Sequence, residues 1–266
     1  MDKTEERAWE IIQFQGTESS VKNDEVTSEW PLTVVLNGDE FATIVCSPTD
    51  LNDLLIGFLA SEGIIRSYTE ITSMSIDDYK GFAYMTVDKK LDDIRNDHSK
   101  RLIGSCCGKS RQFYFKTDAK TAKTVYSRLS VSVEQCYALM EEMQQQSEQF
   151  MRTGCVHNAA LAEPDHLLAV RTDIGRHNAL DKIYGHLLEN RIAVKNKLIV
   201  FSGRLSSEVV LKTAKIGSGI ILSKSAPTDL ALRLANDLQI TVIGFARGSK
   251  MNVYTHPHRI MEAAMD

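Results

Sequence analysis

The sequence predicts an α/β protein in which a smaller N-terminal α+β domain precedes an α/β domain on a mainly parallel sheet. Three observations carry this expectation. In the second half, LLAVRT, KLIVFSG, SGIILS and QITVIGFA are short apolar runs bounded by polar residues, as buried strands are. Between them lie HNALDKIYGHLLEN, SSEVVLKTAKIG and PTDLALRLANDL, which have helical periodicity. Strands alternating with helices of about 10–15 residues form βαβ units. In the first half, PLTVVL and EFATIVCS flank Asn37-Gly38, a hairpin signal because both turn residues tolerate positive φ.

The elements follow in chain order. Residues 1–28 read as a loosely ordered N-terminal arm, and Trp30 to Ser47 as the hairpin. Thr49 or Asp50 can cap a helix through LNDLLIGFLASEGII. Strand-like runs follow at Ile71–Ile76, Gly81–Val87 and Gln112–Lys116. The basic, small-residue stretch RLIGSCCGKSR between the last two has no periodicity and reads as a long loop. Ser132 and Gln135 have capping-box spacing and open a helix with Val133, Cys136, Met140, Met143 and Phe150 on its apolar stripe. The expected division is an arm at 1–28, an α+β domain at 29–125 and an α/β domain at 126–266. With no Pro/Gly-rich linker, the two domains are expected to pack tightly.

Composition narrows the function classes. The 266 residues carry a net charge of −4, which gives no basic footprint for nucleic acid. The N-terminus is polar and lacks the apolar core of a signal peptide. No apolar run approaches the roughly 20 residues that span a bilayer, so a cytoplasmic protein is expected. Five cysteines, an odd number, favour reduced thiols over a disulfide framework. Cys46 and Cys136 fall on apolar patterns and read as core residues.

Cys106 and Cys107 are different. They stand in Gly104-Ser-Cys-Cys-Gly-Lys-Ser-Arg111, with Arg101 upstream. Neighbouring cations lower a thiol pKa below about 8.5 and so favour the nucleophilic thiolate. A persulfide carrier needs such a thiol on a backbone that can move between donor and acceptor. A disulfide between these neighbours would be strained.

Further chemistry gathers at expected strand ends. Arg171-Thr-Asp-Ile-Gly-Arg-His-Asn178 carries Asp173, Arg176 and His177 from the end of one strand into the next helix. There His177 serves either as a ligand-contacting group or as a buried turn anchor. Phe201-Ser-Gly-Arg-Leu-Ser-Ser-Glu208 offers backbone amides and Arg204 to an anion. Ser223-Lys-Ser-Ala-Pro-Thr228 repeats the strand–turn–helix pattern. Phe245-Ala246-Arg247-Gly248-Ser249-Lys250 presents an aromatic ring for stacking and cations for phosphates. Four such ends on one edge point to a nucleotide-sized anionic ligand. GxGxxG, GxxxxGK[ST] and the HxE/PCxxC zinc deaminase signature do not occur. Cys155 and His157 lack a partner pair, so no metal site is expected.

These segments resemble the formate dehydrogenase accessory sulfurtransferases, the FdhD family. The resemblance rests on the Cys-containing loop, TGCVHNAAL, RTDIGRHNALDK, SGRLSSEVVLK, SKSAPTDLALRLA and GFARGSKMNVYTHPHRI, with LNDLLIGFLASEGII upstream. It implies a three-layer cytidine-deaminase-like fold without zinc. It also implies persulfide sulfur taken from a cysteine desulfurase and delivered to the bis(molybdopterin guanine dinucleotide) molybdenum cofactor of formate dehydrogenase. GDP would mimic one arm of that cofactor on Phe245 to Lys250, with Arg204 and His177 nearby, and a homodimer is implied. Many members carry CxxC, whereas this chain has Gly104 at the first position and Cys107 at the second. Cys107 is therefore the expected sulfur-bearing residue, with Cys106 assisting. Cys155 stands where the family commonly has glycine and is expected to serve packing.

Overall fold

The computed structural model describes residues 6–89, 101–103 and 122–264. Residues 6–27 correct the expectation of a loose arm. They form a two-stranded antiparallel ribbon, β1 (Glu6–Gln15) and β2 (Glu18–Thr27), closed at Gly16 with φ +65°. Its side chains are nearly all exposed, including Trp9, Ile12 and Phe14, so no buried face left a periodic mark in the sequence. Arg152 ties the ribbon's base to the rest of the chain through Glu6 at 2.7 Å and Glu25 at 3.6 Å.

The hairpin of β3 (Trp30–Leu36) and β4 (Asp39–Cys46) turns through Asn37 at φ 50° and Gly38 at φ 93°, as the Asn-Gly signal requires. After α1 (Leu51–Ser61) come β5 (Ile71–Asp77), β6 (Phe82–Val87) and β7 (Arg101–Ile103). The sheet order is β5-β6-β3-β4-β7. The first three residues of the expected long loop are thus a strand beside β4, while Gln112–Lys116 lies outside the described residues. Asp50 precedes α1 as foreseen, but in a left-handed conformation and without a side-chain capping bond. The helix also stops at Ser61, short of Ile65.

Ser132 and Gln135 form the foreseen capping box at the start of α2 (Val133–Gln145), and a short α3 (Glu148–Thr153) follows. Phe150 belongs to α3 rather than α2 and is exposed. The remaining elements are β8 (His157–Glu163), β9 (His166–Asp173), α4 (Arg176–Glu189), β10 (Leu198–Phe201) and α5 (Ser207–Ile216). They end with β11 (Ile220–Ser223), α6 (Asp229–Asp237), β12 (Thr241–Arg247) and β13 (Lys250–Val253).

The second sheet has the order β13-β12-β11-β10-β8-β9. Its centre, β10 to β12, is parallel, but hairpins β8–β9 and β12–β13 make the whole sheet mixed rather than mainly parallel. Alternate residues of each central strand face opposite layers. Ile199, Phe201, Ile221 and Val242 pack against α4, α5 and α6, whereas Leu198, Val200, Ile220 and Leu222 pack with Cys136, Leu139, Met140 and Met143 of α2. The result is a three-layer α/β/α core.

The two sheets meet through helices α1 and α4. A Cβ on Gly57 would lie 1.7 Å from the Asp181 carbonyl oxygen, and one on Gly185 would lie 1.8 Å from that of Asp53. Only glycine lets these backbones approach so closely. Buried polar groups lock the same junction. Ser61 Oγ donates to Asp181 Oδ1 at 2.5 Å, and Lys212 Nζ binds the same carboxylate. Among the described residues, no helix is long and apolar enough to cross a membrane.

Candidate functional site

Strand direction decides which groups can converge. β9 is antiparallel to β8, and β8 is antiparallel to β10, so β9 and β10 point the same way. The carboxyl ends of β9, β10, β11 and β12 therefore share one sheet edge, where open α/β sheets bind ligands. Because β8 is reversed, its first residue, His157, joins this edge opposite Asp173. Likewise β13 begins there with Lys250, opposite Arg247.

Short polar bonds hold the turns of this edge together. Asn158 N donates to Ser202 Oγ at 2.9 Å, and Ser202 N returns a bond to Asn158 O at 3.0 Å. Ser225 Oγ donates to Ser202 O at 2.9 Å, and Ser223 Oγ to Gly203 O at 2.8 Å. Phe245 N donates to Ser225 O at 3.2 Å. The edge is thus a continuous platform from β8 to β12.

Asp173 lies beneath this platform and is fully buried. Its Oδ2 sits 2.8 Å from Lys182 Nζ and accepts from Ser47 N at 3.1 Å. Its Oδ1 accepts from Gly175 N at 2.8 Å and from Asn178 Nδ2 at 2.9 Å. Lys182, also fully buried, donates to the Thr172 carbonyl at 2.8 Å. A buried carboxylate satisfied by a cation and three other donors is a structural hub. It fixes the start of α4, and hence Arg176 and His177, against the loop after β4.

Above the hub the surface is cationic. Arg176 and His177 open α4 and are half-buried, and Arg204 is exposed on the turn after β10. A Cβ on Gly203 would lie 3.3 Å from Arg176 Cβ, so that turn packs directly beside Arg176. His177 Nε2 stands 3.0 Å from Glu208 Oε2 of α5, within ion-pair distance but without hydrogen-bond alignment. Burial holds His157 below the ordinary histidine range, and the charges of Arg176, His177 and Arg204 push the same way. Asp173 pulls in the opposite direction, more than Arg204 but less than burial and Arg176. The ring is therefore uncharged at neutral pH. At the head of α5, Ser206 Oγ is buried with no hydrogen-bond partner among the described residues. A helix N-terminus with unmatched donors suits an anion.

At the far end of the edge, Phe245 has φ +54° and its ring is exposed. Arg247 is exposed, with Nε anchored on the Lys224 carbonyl at 2.9 Å. Gly248 and Ser249 form the turn to Lys250. The Ala246 side chain is fully buried against the α2 layer and presents nothing to the edge but backbone.

The cysteines divide sharply. Cys106 and Cys107 lie outside the described residues. Cys46 and Cys136 are fully buried, and burial, reinforced by Glu262, pushes the Cys136 thiol up to about 12. Cys155 corrects the packing expectation: it is exposed, in the short connection between Gly154, which ends α3 at φ 66°, and β8, where no core layer covers it. Among the described residues, no three His, Cys, Asp or Glu side chains gather as metal ligands.

This α/β fold, with its polar strand-end edge, is one shared with a solved protein. A crystal structure of a candidate formate dehydrogenase accessory protein from Desulfotalea psychrophila superposes with TM-score 0.79 at 24% identity, covering 97% of this chain and all of that one. The FdhD/NarQ family model matches residues 27–261, and the chain belongs to that family. The sulfur carrier protein FdhD of Bacillus subtilis is 55% identical over 259 residues, 95% of this chain and 97% of its own. The sulfur carrier protein FdhD of Halalkalibacterium halodurans is 57% identical over 242 residues, 90% of each chain.

Proposed function

We propose that this protein is a sulfur carrier for formate dehydrogenase, a sulfurtransferase that loads persulfide sulfur from a cysteine desulfurase and passes it to the enzyme's molybdenum cofactor. The observation that carries the reading is membership of the FdhD/NarQ family, with more than half identity to sulfur carriers over nearly the whole chain. The Cys106-Cys107 pair, flanked by Lys109 and Arg111, supplies the chemistry. The Cys107 thiolate attacks the terminal sulfur of the desulfurase persulfide. A new S–S bond forms as the donor's S–S bond breaks, and the desulfurase cysteine leaves as thiolate. Cys106 assists.

The bis(molybdopterin guanine dinucleotide) cofactor is the acceptor substrate in this reading, and the strand-end edge fits its chemistry. Arg176, Arg204, Arg247 and Lys250 offer cations to phosphates, the orphaned Ser206 hydroxyl offers a further polar contact, and the exposed Phe245 ring offers a stacking face for guanine. GDP is the simplest partial mimic. The protein acts in the cytoplasm, as a homodimer, where a desulfurase and formate dehydrogenase are its partners.

Intact-mass measurement after incubation with a cysteine desulfurase and free cysteine tests the carrier step. A gain of one sulfur, reversed by reductant, is expected for the wild type. Cys107→Ala should abolish it and Cys106→Ala should weaken it. Full loading of the double alanine variant would refute the reading.

A further inference from the structure

Titratable groups on the strand-end edge are not equally available to a ligand. The Asp173 carboxylate is consumed by Lys182, Ser47 N, Gly175 N and Asn178. Glu208 stands against His177. His157 is placed differently. It opens β8, the strand next to the outermost one, between the end of β9 and the turn after β10, and it is half-buried. The groups acting on it are Asp173 from β9, Arg176 and His177 from α4, and Arg204 from the β10–α5 turn. Glu208 of α5 lies behind His177. The next residue, Asn158, is pinned at both ends: its Nδ2 binds Ser147 Oγ, and its Oδ1 accepts from Thr172 Oγ1 at 2.7 Å. The backbone that carries the imidazole is therefore rigid.

A neutral imidazole among cations changes character when an anion arrives. Alone, it adds no charge to a crowded positive site, and the free site avoids a further repulsion. With a diphosphate in place, the same position gains an opposite charge, which favours the protonated ring. We propose that His157 is a ligand-contacting residue of this edge, one that takes up a proton when a diphosphate group settles among Arg176, His177 and Arg204. The proton comes from solvent and leaves with the ligand. The edge thereby gains one more cationic group only when a diphosphate occupies it, and so it prefers diphosphates to less charged anions. This inference rests on the reading of the edge as a phosphate-binding surface.

Calorimetry of the full chain with GDP and with inorganic pyrophosphate, near pH 7.5 in buffers of different ionisation heat, counts the protons. The wild type should take up more protons than His157→Asn, by about one at saturation, since histidine is the side chain that titrates near neutrality. The difference removes any proton the ligand itself exchanges. Nuclear magnetic resonance of the His157 ring in the wild type provides a check independent of any variant: its signals should move to imidazolium positions when pyrophosphate is added. An equal proton count in both proteins, or a ring that stays neutral in the saturated complex, overturns the proposal while leaving the edge as a binding site. Failure of both probes to bind the wild type overturns the reading of the edge itself, and this proposal with it.

Discussion

Lys182→Met tests whether the buried hub organises the junction beneath the strand-end edge. The substitution keeps most of the side-chain volume and removes one charge from a site where both partners are fully buried. Asp173 would keep the Ser47 and Gly175 amides and the Asn178 side chain, but lose its counter-charge at 2.8 Å. Removing one partner of a buried pair costs about 3–5 kcal/mol, because the other charge is left uncompensated. The lost bond to the Thr172 carbonyl at 2.8 Å adds about 0.5–1.5 kcal/mol. A large part of a typical domain's stability would thus be lost, since that totals about 5–15 kcal/mol. Urea unfolding followed by circular dichroism measures the change. Asp173→Asn should also destabilise, by leaving Lys182 unpaired. The double variant should lose less than the sum of the singles, by about 0.5–3 kcal/mol. A Lys182→Met cost below about 1 kcal/mol, or strict additivity in the double variant, would refute the assignment of a charge-paired hub.

Three further outcomes follow from the same structure. Gly57→Ala drives a Cβ to 1.7 Å from the Asp181 carbonyl oxygen, so α1 and α4 must separate at a cost of at least about 1–3 kcal/mol, read as a lowered urea midpoint. Burial, with Arg176 beside His157 and Arg171 beside His186, depresses both imidazoles in the folded state. The unfolded chain therefore binds more protons once the pH drops below its ordinary value of about 6.5. Their contribution to stability should be intact above that pH and lost progressively below it, and unfolding midpoints at pH 7.5, 6.5 and 5.5 measure the slope. Under native conditions iodoacetamide should label exposed Cys155 while sparing Cys46 and Cys136, whose burial and, for Cys136, thiol pKa of about 12 keep them inert. Peptide mass mapping reads this outcome.

The central layer was legible because β10, β11 and β12 are buried on both faces, and that burial demands short, nearly continuous apolar runs. β8 was missed because HNAALAE lacks the β-branched residues that mark strands. Its alanines make room for helices on both faces instead. The β1–β2 ribbon was missed because it buries almost nothing, so its pairing left no pattern. The strand-end edge left a mark in the sequence, since Arg204 follows the apolar β10 and Phe245 and Arg247 end the apolar β12. His157 was not, because a rule about carboxyl ends of strands overlooks a reversed strand that presents its first residue. The role of Asp173 was open in the sequence, since only the fold brings Lys182 and Ser47 to it.

The carrier role is tested most directly by activation of formate dehydrogenase produced in cells lacking this protein. Purified enzyme is supplied with the desulfurase, cysteine and either the wild type or the Cys106→Ala/Cys107→Ala double variant. The wild type should restore formate oxidation, and the double variant should leave the enzyme inactive although it folds and binds GDP as the wild type does. Full restoration by the double variant would contradict sulfur transfer through these thiols and leave a cofactor-binding chaperone in its place.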